Sequence, residues 1–140
     1  MTELTPAATK AAVLSANANF YRAFTDGDYA AMSDLWAEHA QVACLHPGAR
    51  TLVGRGAVLE SWKQILGGAS RFELRCRQPI VQVAGDVAIV TCYEASDDEP
   101  AHLAATNVFV MEDGRWRMVH HHAGPLSSPV PRSPDPASLN

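Results

Sequence analysis

Thr106-Asn107-Val108-Phe109-Val110-Met111-Glu112-Asp113-Gly114-Arg115-Trp116-Arg117-Met118-Val119-His120-His121-His122 is the stretch on which the fold turns. Asp113-Gly114 supplies the positive φ angles of a type I′ turn, so the runs on either side form a hairpin. A two-residue turn sets Met111 against Trp116, Phe109 against Met118, Asn107 against His120 and Ala105 against His122. One face then carries Ala105, Asn107, Phe109, Trp116, Met118, His120 and His122; the other carries Thr106, Val108, Val110, Arg117, Val119 and His121. Both faces are largely apolar, unlike a sheet open to water on one side. The face with the larger side chains suits packing beneath helices, and the other suits a second copy of the sheet. Asn107, His120 and His122 on the packed face need partners or a ligand, because a buried polar group left unpaired costs roughly 1–3 kcal/mol. A pocket is therefore expected there.

Working outward, Val87–Glu94 and Leu103–Met111 alternate as strands around the polar turn Ser96–Pro100. An earlier strand alternates Phe72, Leu74 and Cys76 with Arg71, Glu73, Arg75 and Arg77, then meets Pro79, which marks a bend or an edge. Thr5-Pro6 opens a helix whose stripe of Val13, Ala16, Phe20 and Phe24 runs to about Thr25. Asp26-Gly27-Asp28 turns the chain into a short helix with Met32, Leu35 and Trp36 on one face. Gln41 to His46 reads as a strand stopped by Pro47-Gly48, and Val58, Trp62 and Ile65 mark a third helix closed by Gly67-Gly68. Three helices followed by hairpins predict an α+β fold. Residues 1–124 form the domain, and residues 125–140, with Pro125, Pro129, Pro131, Pro134 and Pro136, are expected to be a mobile extension.

With 140 residues, 47% of them hydrophobic and 19% charged, the chain is sized and composed as one folded domain. A net charge of −4 excludes a basic footprint, so neither nucleic acid nor an anionic membrane is an expected partner. Cys44, Cys76 and Cys92 are scattered and odd in number, which argues for buried reduced thiols and against a disulfide framework or a zinc knuckle. No signal peptide or spanning stretch is visible, and a cytoplasmic location is expected.

Two stretches resemble the SnoaL-like branch of the nuclear transport factor 2-like superfamily. The first runs from Asn19-Phe20-Tyr21-Arg22-Ala23-Phe24 through Asp28, Met32, Leu35-Trp36, His46-Pro47-Gly48, Gly54-Arg55 and Trp62. The second runs from Thr106-Asn107-Val108-Phe109 through Asp113-Gly114-Arg115-Trp116 to Val119-His120-His121-His122, an ending also similar to that of the calmodulin-dependent kinase association domain. The resemblance implies a cystatin-like cone: a curved, mostly antiparallel sheet around three N-terminal helices, a central cavity, and dimers through the outer sheet face. It does not carry over the machinery of ketosteroid isomerase, whose first-helix tyrosine and general-base aspartate correspond here to Phe20 and His46.

His46, with an imidazole suited to proton transfer near neutrality, His120 and Glu94 are the candidate catalytic groups. Glu94 follows Val90 and Cys92 on one side of its strand, where burial would raise its pKa. Tyr21, Trp36, Trp62 and Asn107 are the candidate ligand contacts. His120 and His122, with His46 or Glu94, are a minor metal alternative, and no metal or cofactor is expected. The expected function is a homodimeric domain that binds a small hydrophobic molecule and acts on it by proton transfer, as an isomerase, cyclase or dehydratase does. The alternative is a non-catalytic ligand-sensing or dimerisation module.

Overall fold

A computed structural model describes residues 5–68, 73–96 and 99–132. Helix α1 (Pro6–Asp26) starts as its residues direct: the Thr5 hydroxyl accepts from Ala8 N–H at 3.0 Å, and Pro6 occupies the first turn. It stops at Gly27, whose φ of 65° lets its N–H reach back to the carbonyls of Ala23 and Phe24. Asp28 caps α2 (Tyr29–Leu35) through Ala31 N–H. Strands β1 (Ala43–Leu45) and β2 (Leu52–Val53) lead into α3 (Arg55–Leu66). Arg55 ties that helix to the end of α2, donating to the carbonyls of Trp36 at 2.7 Å and of Ala37 and Ser33 at 3.0 Å.

The long strands are β3 (Arg75–Ala84), β4 (Val87–Ala95), β5 (Ala101–Glu112) and β6 (Arg115–Val130). They form one sheet in the order β2-β1-β6-β5-β4-β3, antiparallel except where β1 runs parallel to β6. Its inner face closes on the helices around Phe20, Trp36, Val58, Phe109 and Met118, all buried. The sequence reading of α+β with N-terminal helices therefore holds.

Three local expectations need correction. First, β6 changes parity. Met111 faces Trp116 and Phe109 faces Met118, but the register then slips, and Val108 faces His120, Asn107 faces His121 and Thr106 faces His122. Val119 is the extra residue of a β-bulge, which shifts everything beyond it to the opposite face. The slip falls where the other neighbour of β6 changes. Trp36 bridges to Met118 and Ala37 N–H donates to the Met118 carbonyl, whereas β1 takes over at His120. His121 thus points inward, and His120 and His122 point outward.

Second, residues 125–130 are not an extension but the end of β6, with Pro125 opposite Leu103 and Val130 opposite Ala101. β1 ends opposite His122, so beyond that point β6 has a neighbour on one side only among the described residues, a place where proline is tolerated. The remainder of the tail, 133–140, lies outside the described residues. Third, the strand read around Phe72 begins later, at Arg75, and Arg71 and Phe72 lie outside the described residues. Pro79 sits within a register shift between Arg77 and Ile80, where Gln78 takes a φ of 53°, on an edge strand. No described helix is long and apolar enough to cross a membrane.

Candidate functional site

The helix α1 stripe contains a polar member: Asn17, one turn after Val13 and one before Phe20 and Tyr21, is 2% exposed. Opposite it, the inner faces of β4, β5 and β6 present Glu94, Asn107 and His121, each at most 3% exposed. Buried polar groups must pair with one another here, and they do. His121 Nδ1 lies 2.6 Å from Asn107 Oδ1. An amide oxygen only accepts, so this nitrogen carries the proton. The Asn107 amide nitrogen donates to Asn17 Oδ1 at 2.8 Å and to the Tyr21 hydroxyl at 3.1 Å. Tyr21 in turn donates to Glu94 Oε2 at 2.7 Å.

The result is a chain of donors, His121 to Asn107 to Tyr21 to Glu94, all pointing the same way and reinforcing one another. An amide does not relay protons, so this chain orients and polarises rather than conducts. Burial drives the titration of its ends apart. Desolvation raises the Glu94 carboxyl above its ordinary value, against the opposing hydrogen bond from Tyr21. The same burial, with neighbouring His46, His120 and His122, lowers His121 to about 3, leaving a neutral imidazole. Tyr21 is raised far above the ordinary phenol value by burial and by the Glu94 charge, so it remains a donor.

Glu94 borders a cleft of about 290 Å³ that is walled by Leu74, Ala95, His102 and Leu103. Tyr21 borders another, of about 320 Å³, with Arg22, Thr25, Leu74 and Cys76. Leu74 separates the two, pinned by Thr25, whose hydroxyl donates to its carbonyl and accepts from its N–H. A larger groove, of about 530 Å³, runs between α1, α2 and the β5–β6 turn, but none of its walls belongs to the polar chain. Arg115 and Asp34 pair beside it at 2.9 Å.

Of the residues singled out in the sequence, Tyr21, Glu94 and Asn107 come together. Trp62 is close by: its ring lies 5.3 Å from Phe20, 5.8 Å from His121 and 4.8 Å from His46. His46 packs edge-on against Trp62 and bonds Ser61 Oγ at 2.9 Å through Nε2; Ser61 gives its own proton to the Val58 carbonyl, so His46 Nε2 is the protonated nitrogen. Burial lowers its pKa. Trp36 is core, bridged to Met118 at the end of α2. His120 is placed on the outer face, its ring 6.5 Å from that of His122, and so does not enter the polar chain. The placement expected of it belongs to His121. Sequence reasoning also passed over Asn17, although a lone amide at a stripe position was a visible signal. Among the described residues, the group with metal-ligand spacing is His39, Glu112 and Asp113, not His120 and His122.

Comparison with known proteins agrees with this architecture. The SnoaL-like domain family model matches residues 13–131. A structure from Streptomyces avermitilis, provisionally named a dehydratase of the NTF2-like family, is 35% identical with a TM-score of 0.79, covering 89% of this chain and 100% of that one. A structure from Thiobacillus denitrificans, provisionally named a calcium/calmodulin-dependent protein kinase type II association domain, is 36% identical with a TM-score of 0.70, covering 80% of this chain and 93% of that one. The F-box protein SKIP8 of Arabidopsis thaliana is 30% identical over 116 residues, which are 83% of this chain; the chain spans 50% of that relative's length.

Proposed function

Since the chain belongs to the SnoaL-like domain family, we propose that it binds a small organic molecule at the Glu94 end of the buried polar chain and transfers a proton there. The observation that carries this reading is a carboxyl that is buried, raised in pKa and held through one oxygen by Tyr21. Its protonated form leaves Oε1 to donate to a carbonyl or hydroxyl oxygen of the ligand, as dehydration or isomerisation requires. Leu74, Leu103 and Ala95 offer the apolar wall that a hydrophobic substrate needs. Asn107 orients Tyr21, and His121 orients Asn107. His46, lowered in pKa by burial and packed edge-on against Trp62, is the candidate base. The dehydratase name of the Streptomyces avermitilis structure supports the reaction class.

The test is a thermal-shift and calorimetric screen against cyclic enones and β-hydroxy ketones. A binder should lose affinity at least tenfold in Glu94→Gln, and should weaken in the wild type as pH rises through the raised Glu94 value. A binder unaffected by both would overturn the reading.

A second reading, a dimerisation module, draws on two observations. The outer face of the sheet is apolar across Ile80, Ile89, Val108 and Val110, with Ile80 63% exposed. The Thiobacillus denitrificans structure is named an association domain. We place the dimer contact on that face, which leaves the inner polar chain free to serve a ligand as well.

A further inference from the structure

We propose that Cys76 is a redox-modified thiol and Cys92 its resolving partner, so that oxidation links β3 to β4 beside the Tyr21–Glu94 pair. Cys76 lies opposite Glu94 in the β3–β4 ladder. Cys92, two residues before Glu94, is therefore its diagonal neighbour on the same inner face. The two thiols serve different needs. Cys76 is half-buried and borders the cleft of about 320 Å³ between α1 and the start of β3, along with Tyr21, Arg22 and Arg75. Its sulfur accepts from the Asn17 amide at 3.4 Å, a contact that favours the thiolate. Cys92 is buried, 4% exposed, with its sulfur 3.2 Å from the Tyr21 hydroxyl. Hydrogen bonding from Cys92 holds the Cys76 thiol below the usual thiol range, against the effect of burial and with Asn17 adding to it; Cys92 is raised.

An accessible thiol with thiolate character beside a protonated, buried one is the arrangement of an attacking and a resolving cysteine. The Cys76 thiolate attacks one oxygen of a hydroperoxide; the O–O bond breaks, an S–O bond forms, and the leaving alkoxide or hydroxide takes a proton from solvent. The sulfur is oxidised by two electrons to a sulfenic acid. Cys92 sulfur then attacks Cys76 sulfur, the S–S bond forms, and hydroxide leaves with the Cys92 proton as water. Diagonal neighbours stand about 7–8 Å apart at Cα, somewhat beyond the usual disulfide span of about 4.4–6.8 Å. β3 is the strand that can close that gap, being an edge strand with a bulge immediately after Arg77.

Closure would draw Cys92 from Tyr21 and Cys76 from Asn17, the two side contacts that flank the polar chain. Resting on the ligand-binding reading above, this makes affinity at Glu94 depend on thiol oxidation.

The experiment uses the full chain. At pH 7.5 it is treated with stoichiometric hydrogen peroxide, blocked with N-ethylmaleimide, digested and weighed by mass spectrometry. The expected product is a Cys76–Cys92 disulfide, reversed by dithiothreitol. Cys44 is the internal control, since it is fully buried with its thiol pushed up to about 12 by desolvation first and by Glu94 second. In Cys92→Ala the sulfenic acid on Cys76 should persist and be trapped by dimedone; in Cys76→Ala, Cys92 should stay reduced. A wild-type rate needs no variant to fold: N-ethylmaleimide should modify Cys76 at least tenfold faster than Cys44. Equal rates, or peroxide oxidation without the disulfide, would overturn the proposal. A disulfide that forms while affinity for the ketone probe is unchanged would uphold the thiol pair and refute the coupling.

Discussion

His121 and Glu94 are joined through two intermediates, yet burial acts on them in opposite senses, and their effects on stability have opposite signs. His121 falls to about 3 from an ordinary 6.5, so the unfolded chain binds the extra proton between those values. Its contribution is complete above about pH 6.5 and is lost as pH falls toward 3. Glu94 is raised above 4.5, so its contribution is complete below that value and is lost as pH rises through the raised one. Urea unfolding across a pH series should therefore show an acid limb flattened by His121→Gln and a loss toward higher pH flattened by Glu94→Gln. Unchanged slopes in both variants would mean that neither group is buried as described. Glu94 and Asn107 were legible in the sequence because each sits at the inward parity of its strand, and Tyr21, outside the stripe of Val13, Ala16, Phe20 and Phe24, because an aromatic residue suits a ligand contact. His121 was not, because its parity depends on a bulge.

Among the elements, the segment after α2 shows how a side chain substitutes for regular structure. The backbone N–H groups of Glu38, His39 and Ala40 all donate to the Glu112 carboxylate, at 2.7, 3.1 and 3.0 Å. Glu112 is the last residue of β5, beside the Asp113-Gly114 turn, so this carboxylate fastens the β5–β6 hairpin to the end of the helical layer. Those three bonds lower its pKa, against the effect of desolvation. Glu112→Ala should cost roughly 2–3 kcal/mol by chemical denaturation, since charge-assisted bonds are the stronger kind and three donors lose their partner. A loss below about 0.5 kcal/mol, the size of an ordinary surface change, would show the contact to be incidental. The turn itself was readable from Asp-Gly. Its bond to residues some seventy positions earlier was not, because nothing local ties a carboxylate to a distant loop.

For the whole molecule, the sheet separates a buried polar chain on its inner face from an outer face on which Ile80, Ile89, Val108 and Val110 stand among Gln82, Thr91, Thr106, His120 and His122. Val108 and Ile89 are cross-strand partners near the middle of that outer surface. If two copies meet there, Val108→Asp places a charge at the centre of the contact and should give a monomer by sedimentation velocity, with the circular dichroism of the wild type. A wild-type protein that already sediments as a monomer at tens of micromolar would remove the dimer from the proposal. The same experiment separates the two readings of function, because the outer substitution should leave ketone binding at Glu94 intact.

Local chemistry in the sequence was enough to set the helix starts and stops, the Asp113-Gly114 hairpin, the α+β order and the inward parity of Glu94 and Asn107. Capping, turn angles and side-chain period act over a few residues, and those few residues are adjacent in the chain. The tertiary structure alone decided which histidine faces Asn107 and how far β6 runs. Both depend on what pairs with the far edge of that strand: Trp36 and Ala37 as far as Met118, then β1, and beyond His122 no strand among the described residues. Such pairing joins segments about eighty residues apart, and no hydrophobic period within β6 records where one neighbour gives way to the next.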